Sequence, residues 1–123
     1  MRPYAAIIAL FVVAGCPEPA AADEDEAKIA FNSHCRTCHS FRAGDNRLGP
    51  SLFGIFGARA GEVHGYRGYS GGLTGLVWDE ATLDRFIADP AALATSTNMT
   101  SPPVADASER RKIIEFLKSI RAQ

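Results

Sequence analysis

The chain has 123 residues, with 13 Lys and Arg against 14 Asp and Glu, for a formal net charge of −1. This length supports one domain with a modest hydrophobic core. The near-neutral balance excludes the marked basic excess expected of a nucleic-acid-binding protein.

Arg2 followed by the unbroken apolar run Ala5 to Gly15 reads as an export signal over residues 1–22. The run is too short to span a bilayer as a stable helix. Two ends fit the signal. Val13-Ala14-Gly15-Cys16 resembles a lipobox, which would remove residues 1–15 and tether the chain to a membrane through a lipid at Cys16. Ala20-Ala21-Ala22 resembles an ordinary small-residue cleavage site ahead of Asp23-Glu24-Asp25-Glu26, which would leave a soluble domain over 23–123. Both stay open on the sequence.

A first helix is expected from about Glu24 to Glu26, acidic residues that suit a positive helix N-terminus. It carries Ala27, Ala30 and Phe31 toward the core and runs into Cys35-Arg36-Thr37-Cys38-His39. C-x-x-C-H is the attachment sequence of a covalent c-type haem. The two thiols add to the vinyl groups, and the histidine supplies an axial nitrogen to the iron. Zinc would want four ligands, and only Cys16, His34 and His64 are left to complete such a set. A redox dithiol would want a thioredoxin-like alternation of strands and helices, which the chain lacks. One haem c, joined through Cys35 and Cys38, is therefore the expected cofactor.

From Ser40 to about Val77 the chain holds all but one of its 11 glycines. That density argues against long regular elements, and a structureless run of this length sits poorly in a compact domain unless it wraps a prosthetic group. Asp79 is a candidate N-cap for a second helix through Thr82, Leu83, Phe86 and Ile87, stopped at Pro90. Residues 91–105 read as loop, with Pro102-Pro103 marking extended chain. Asp106 with Glu109 resembles a capping box for a last helix, whose apolar positions Ile113, Ile114, Leu117 and Ile120 recur at helical spacing. The fold expected is all-α, with no strands beyond isolated pairs.

A haem held by His39 has a second axial position. Met99, the only methionine besides Met1, lies 60 residues after His39 in the loop before the last helix. Its polar neighbours Thr97, Asn98, Thr100 and Ser101 do not suit a core gap-filler. A thioether there is a soft ligand that favours reduced iron and raises the potential.

From about Ala27 to Ile120 the chain resembles a class I cytochrome c of the mitochondrial and purple-bacterial short-chain kind. The matching stretches are Phe31-x-x-x-Cys35-x-x-Cys38-His39, Leu48-Gly49-Pro50-x-Leu52-x-Gly54-x-Phe56-Gly57, Trp78-Asp79-Glu80-x-Thr82-Leu83, Pro90 to Met99, and Phe116-Leu117-Lys118. The resemblance implies first and last helices crossing through Phe31 and Phe116, with loops wrapped around one haem. It also implies that the Pro50 carbonyl accepts a hydrogen bond from His39 and that Trp78 donates to a propionate. Tyr69, with Tyr66 beside it, and Thr97 would line that same edge, and His39 and Met99 would ligate the iron. Three departures stand out. Ser101 takes the place of an aromatic that covers the haem edge, Pro102-Pro103 replace small flexible residues, and Phe86 replaces a tyrosine that hydrogen-bonds the methionine sulfur.

The function this implies is a one-electron carrier of the periplasmic side and not an enzyme, monomeric, shuttling between respiratory or photosynthetic redox partners. Arg36, Arg42, Arg47, Arg59 and Arg67 are the docking candidates in place of the family's lysines. Two alternatives are a haem subunit of a dehydrogenase complex and a peroxidatic or gas-sensing protein with a displaceable Met99.

Overall fold

The computed structural model describes residues 21–121, together with Val12, Ala14 and Gly15. Cys16 and most of the apolar segment before it lie outside the described residues, and with them both readings of the signal. Among the described residues four helices follow in order: α1 (Ala21–His34), α2 (Glu80–Ala88), α3 (Pro90–Leu93) and α4 (Ala107–Ser119). No helix among the described residues is long and apolar enough to cross a membrane.

The core is the crossing of α1 and α4. Phe31 is 0% exposed and its ring centroid lies 4.7 Å from that of Phe116. Phe41, which the sequence did not single out, stands edge-on to both rings, at 5.9 Å from Phe31 and 5.6 Å from Phe116. Ala27 and Ala30 let α4 approach α1 closely, and Ile113, Ile114 and Leu117 fill the facing stripe. The Lys112–Glu26 ion pair at 3.2 Å and the His34–Glu109 contact at 3.3 Å span the same two helices near the surface. Exposed pairs of this kind add little to stability, and the aromatic cluster carries the contact.

The helix ends follow their capping chemistry. Asp79 accepts from Thr82 N at 2.8 Å and starts α2. Asp106 accepts from Ser108 N at 2.7 Å and Glu109 N at 3.2 Å and starts α4. These bonds to the ionised form hold both carboxyls below their ordinary range. The expected capping box at Asp106 is only half formed, because Glu109 turns to His34 rather than back to the cap.

Two details differ from the sequence expectation. α1 begins at Ala21, ahead of the acidic residues, as the strong helix propensity of alanine allows. Residues 91–93, expected as loop, form a single helical turn together with Pro90. Asp89 closes α2 and also caps α3, accepting from Ala92 N at 3.2 Å, and Pro90 sits at the first position, where its missing N–H is harmless.

Between α1 and α2 the chain is irregular apart from one antiparallel bridge, Arg59 with Val77. Gly57 N donates to Trp78 O at 2.8 Å, Trp78 N to Ala58 O at 2.9 Å and Ala60 N to Leu76 O at 2.9 Å. Gly57 adopts a φ of 84°, a left-handed conformation that favours glycine. These bonds pinch the glycine-rich loop at its neck and set Trp78 against the body of the protein.

Candidate haem site

α1 continues past His34 as turns. Cys35 N donates to Phe31 O at 2.8 Å and His39 N to Cys35 O at 2.9 Å. The C-x-x-C-H segment is thus rooted directly on the buried aromatic crossing. Cys35, Cys38 and His39 all line one cavity of about 390 Å³. Its walls come from Leu83, Phe86 and Ile87 of α2, Ile113 and Leu117 of α4, and Trp78. No Asp, Glu, Lys or Arg lines it among the described residues.

His39 is buried, and its Nδ1 donates to the Pro50 carbonyl at 2.7 Å. A carbonyl only accepts, so this bond fixes the proton on Nδ1 and leaves Nε2 with its lone pair. Burial pushes the imidazole below its ordinary pKa, against the opposing effect of the Pro50 bond. A neutral, oriented imidazole is what a metal ligand requires.

Gly49 makes this arrangement possible. A Cβ there would stand 2.6 Å from His39 Nδ1 and 2.9 Å from Nε2, well inside contact. The backbone cannot retreat easily, since Gly49 N donates to Cys38 O at 2.8 Å and Gly49 O accepts from Arg47 N at 2.9 Å. Gly49→Ala is expected to displace the His39 ring, break its bond to Pro50 and destabilise the protein by about 1–3 kcal/mol. A denaturation midpoint equal to that of wild type would contradict this. In the sequence Gly49 stands within a motif that gives it no role of its own. Its position directly before Pro50 was the available signal.

The remaining residues expected at the site gather on the same cavity, including Tyr69, Trp78, Thr97 and Met99. Trp78 is buried with its ring centroid 4.9 Å from that of Phe86, and its indole N–H has no partner among the described residues. Tyr66 and Tyr69 differ in use, although their rings meet edge-on at 4.8 Å. The Tyr66 hydroxyl donates to Leu48 O at 2.7 Å, which commits its only proton. The Tyr69 hydroxyl instead accepts from Val63 N at 3.1 Å and keeps its proton to donate. Burial raises its pKa, so the phenol stays protonated. Thr97 Oγ1 likewise accepts, from Met99 N at 3.1 Å.

This donor set fits a c-type haem better than the other chemistries open to C-x-x-C. As a thiol, Cys35 is pushed up to about 12, by burial first and then by Cys38. An activated redox dithiol needs the opposite shift. No cluster of three His, Cys, Asp or Glu side chains suited to a metal ion exists among the described residues. The apolar walls, the neutral imidazole, the partnerless indole donor and the thioether of Met99 match a large planar group with an iron at its centre.

The chain is similar along most of its length to known proteins. Cytochrome c2 iso-2 of Magnetospirillum molischianum is 35% identical over 88 residues, 71% of this chain and 91% of its own length. Cytochrome c2 of Blastochloris viridis is 32% identical over 119 residues, 94% of this chain and 93% of its own. The solved structure of cytochrome cH from Methylobacterium extorquens superposes with a TM-score of 0.71 at 37% identity, covering 79% of this chain and 98% of that one. No protein-family model matches the chain. The relatives and the neighbouring fold agree with the geometry around His39: the chain belongs to the class I bacterial cytochromes c, electron carriers with a single haem c, here attached through Cys35 and Cys38.

Proposed function

We propose that the protein is a periplasmic one-electron shuttle, soluble or lipid-anchored at Cys16, in which His39 and Met99 are the axial ligands. The reading rests on one observation above the rest. The imidazole oriented by Pro50 and the thioether of Met99 line the same apolar cavity as the two attachment cysteines. When bound, the haem supplies a one-electron iron couple.

The chain's own residues do the rest. Pro50 holds the His39 proton on Nδ1, so that Nε2 stays a donor to metal. The Met99 thioether favours the reduced state. Phe86 lines the cavity where the family carries a tyrosine, so that residue offers no hydroxyl to the Met99 sulfur. Apolar side chains from α2 and α4 exclude water. His39 and Met99 would hold the iron between them and leave no coordination site for a substrate, which suits a carrier and not an enzyme.

Exchange with a partner needs a docking face. Leu48 lines the cavity and is 78% exposed, which places an apolar contact at the cavity edge. Arg36, Arg42, Arg59 and Arg67 are exposed and form no ion pair among the described residues, whereas Arg47 is engaged by Asp45 at 3.0 Å. A redox protein with an acidic rim is the complementary partner, in a small and transient interface. Two measurements test the reading. The ferric holoprotein is expected to show the far-red charge-transfer band of iron–thioether ligation, and a high-spin spectrum without it would refute the Met99 assignment. The association rate with an acidic redox partner is expected to fall as salt rises, and a salt-insensitive rate would remove the arginine docking face.

A further inference from the structure

The segment that carries Met99 is fastened on both sides. Downstream, Val104 N donates to Ile87 O at 3.1 Å, and Arg110 Nη1 donates to the carbonyls of Val104 at 2.9 Å and Ala105 at 2.8 Å. The same guanidinium pairs through Nε with Asp84 at 2.7 Å. Val104 is buried, so this fastening is part of the core. Upstream, the fastening is lighter. Asn98 N donates to Ser70 Oγ at 2.9 Å, and the Asn98 side-chain amide donates to Gly68 O at 3.0 Å. Both bonds lie at the surface and tie the segment to the glycine-rich loop.

Between the two fastenings run Met99, Thr100, Ser101, Pro102 and Pro103. The two prolines have no N–H and a fixed φ, which makes the downstream half stiff. A stiff strap rooted in the core at one end opens at its other end. The opening point is therefore Asn98, the residue directly before Met99.

We propose that Asn98 is a positioning residue for Met99: its two bonds to Ser70 and Gly68 hold the thioether at the cavity, and their release is how Met99 leaves it. The inference rests on the reading of Met99 as an axial ligand. An external ligand that competes for the position of Met99 binds only the open form, so its apparent affinity rises in proportion to the fraction open. Loss of one such hydrogen bond shifts an equilibrium of this kind about three- to tenfold.

The test is a titration of the ferric holoprotein with imidazole, comparing wild type with Asn98→Ala, Ser70→Ala and Ser70→Thr. Imidazole is expected to bind about three- to tenfold more tightly to Asn98→Ala and Ser70→Ala, with a weakened far-red band, while Ser70→Thr, which keeps the acceptor oxygen, stays at the wild-type value. Unchanged imidazole affinity in both alanine variants, with the band intact, would overturn the proposal. If one alanine variant fails to take up haem, the other carries the comparison. A wild-type protein lacking the band would sink the ligation reading instead. Amide hydrogen exchange at Asn98 and Met99 then decides the latch: faster exchange in the alanine variants supports it, and unchanged exchange refutes it.

Discussion

In the ferric holoprotein, Met99→Ala is expected to abolish the far-red iron–thioether band and turn the iron high-spin. The reduction potential is expected to fall by a substantial part of the roughly 0.8 V range that axial ligation spans. The cause is the loss of a soft donor that favours the reduced state, replaced by a methyl group that cannot reach a metal. The segment itself should persist, because Asn98 and Thr97 hold it through bonds that do not involve the thioether. A redox titration gives the answer directly. An unchanged potential would mean that Met99 is not a ligand.

Phe31→Ala is the largest expected stability change, a loss of about 3–5 kcal/mol. Phe31 is 0% exposed and meets both Phe41 and Phe116, so truncation opens a cavity where α1 and α4 cross. Set against a typical total of about 5–15 kcal/mol, this leaves a marginal protein. The damage extends to the cofactor, because the carbonyl of Phe31 receives the N–H of Cys35. A looser crossing therefore loosens the first attachment point. Denaturant titration of the holoprotein measures the loss, and a drop of less than about 1 kcal/mol would show that the aromatic cluster is not what holds the helices together.

How much of this was legible in the sequence depends on how local each cause is. The last helix could be read because Ile113, Ile114 and Leu117 repeat at helical spacing behind a capping Asp106. The cofactor could be read because thiols and imidazole fall within five consecutive residues. The pairings of Phe31 with Phe116, and of His39 with Pro50, were available only through family resemblance, and the structure bears out both contacts. Other features depend on distant parts of the chain meeting. Nothing local marks Phe41 as the third ring of the cluster, or sends Glu109 to His34 instead of its own cap. Asn98 looks like an ordinary loop residue until Gly68 and Ser70, some thirty positions earlier, are brought beside it. Tyr66 and Tyr69 are indistinguishable by type, and only their partners separate a committed proton from an available one.

The pinched neck formed by Arg59 and Val77 has a consequence for how such chains can diverge. The bonds at the neck, from Gly57, Ala60 and Trp78, join the loop's two ends to each other and to the body. The turn at Thr74-Gly75 lies outside that ring of bonds and is exposed. Lengthening a loop adds closure entropy only slowly, about 0.6 kcal/mol for each doubling. Residues added at this turn would therefore leave in place the ring of bonds that seats Trp78. The length of this one turn can drift between relatives, while the rest of the loop, which brings Tyr66, Tyr69 and Ser70 to the cavity, keeps its dimensions.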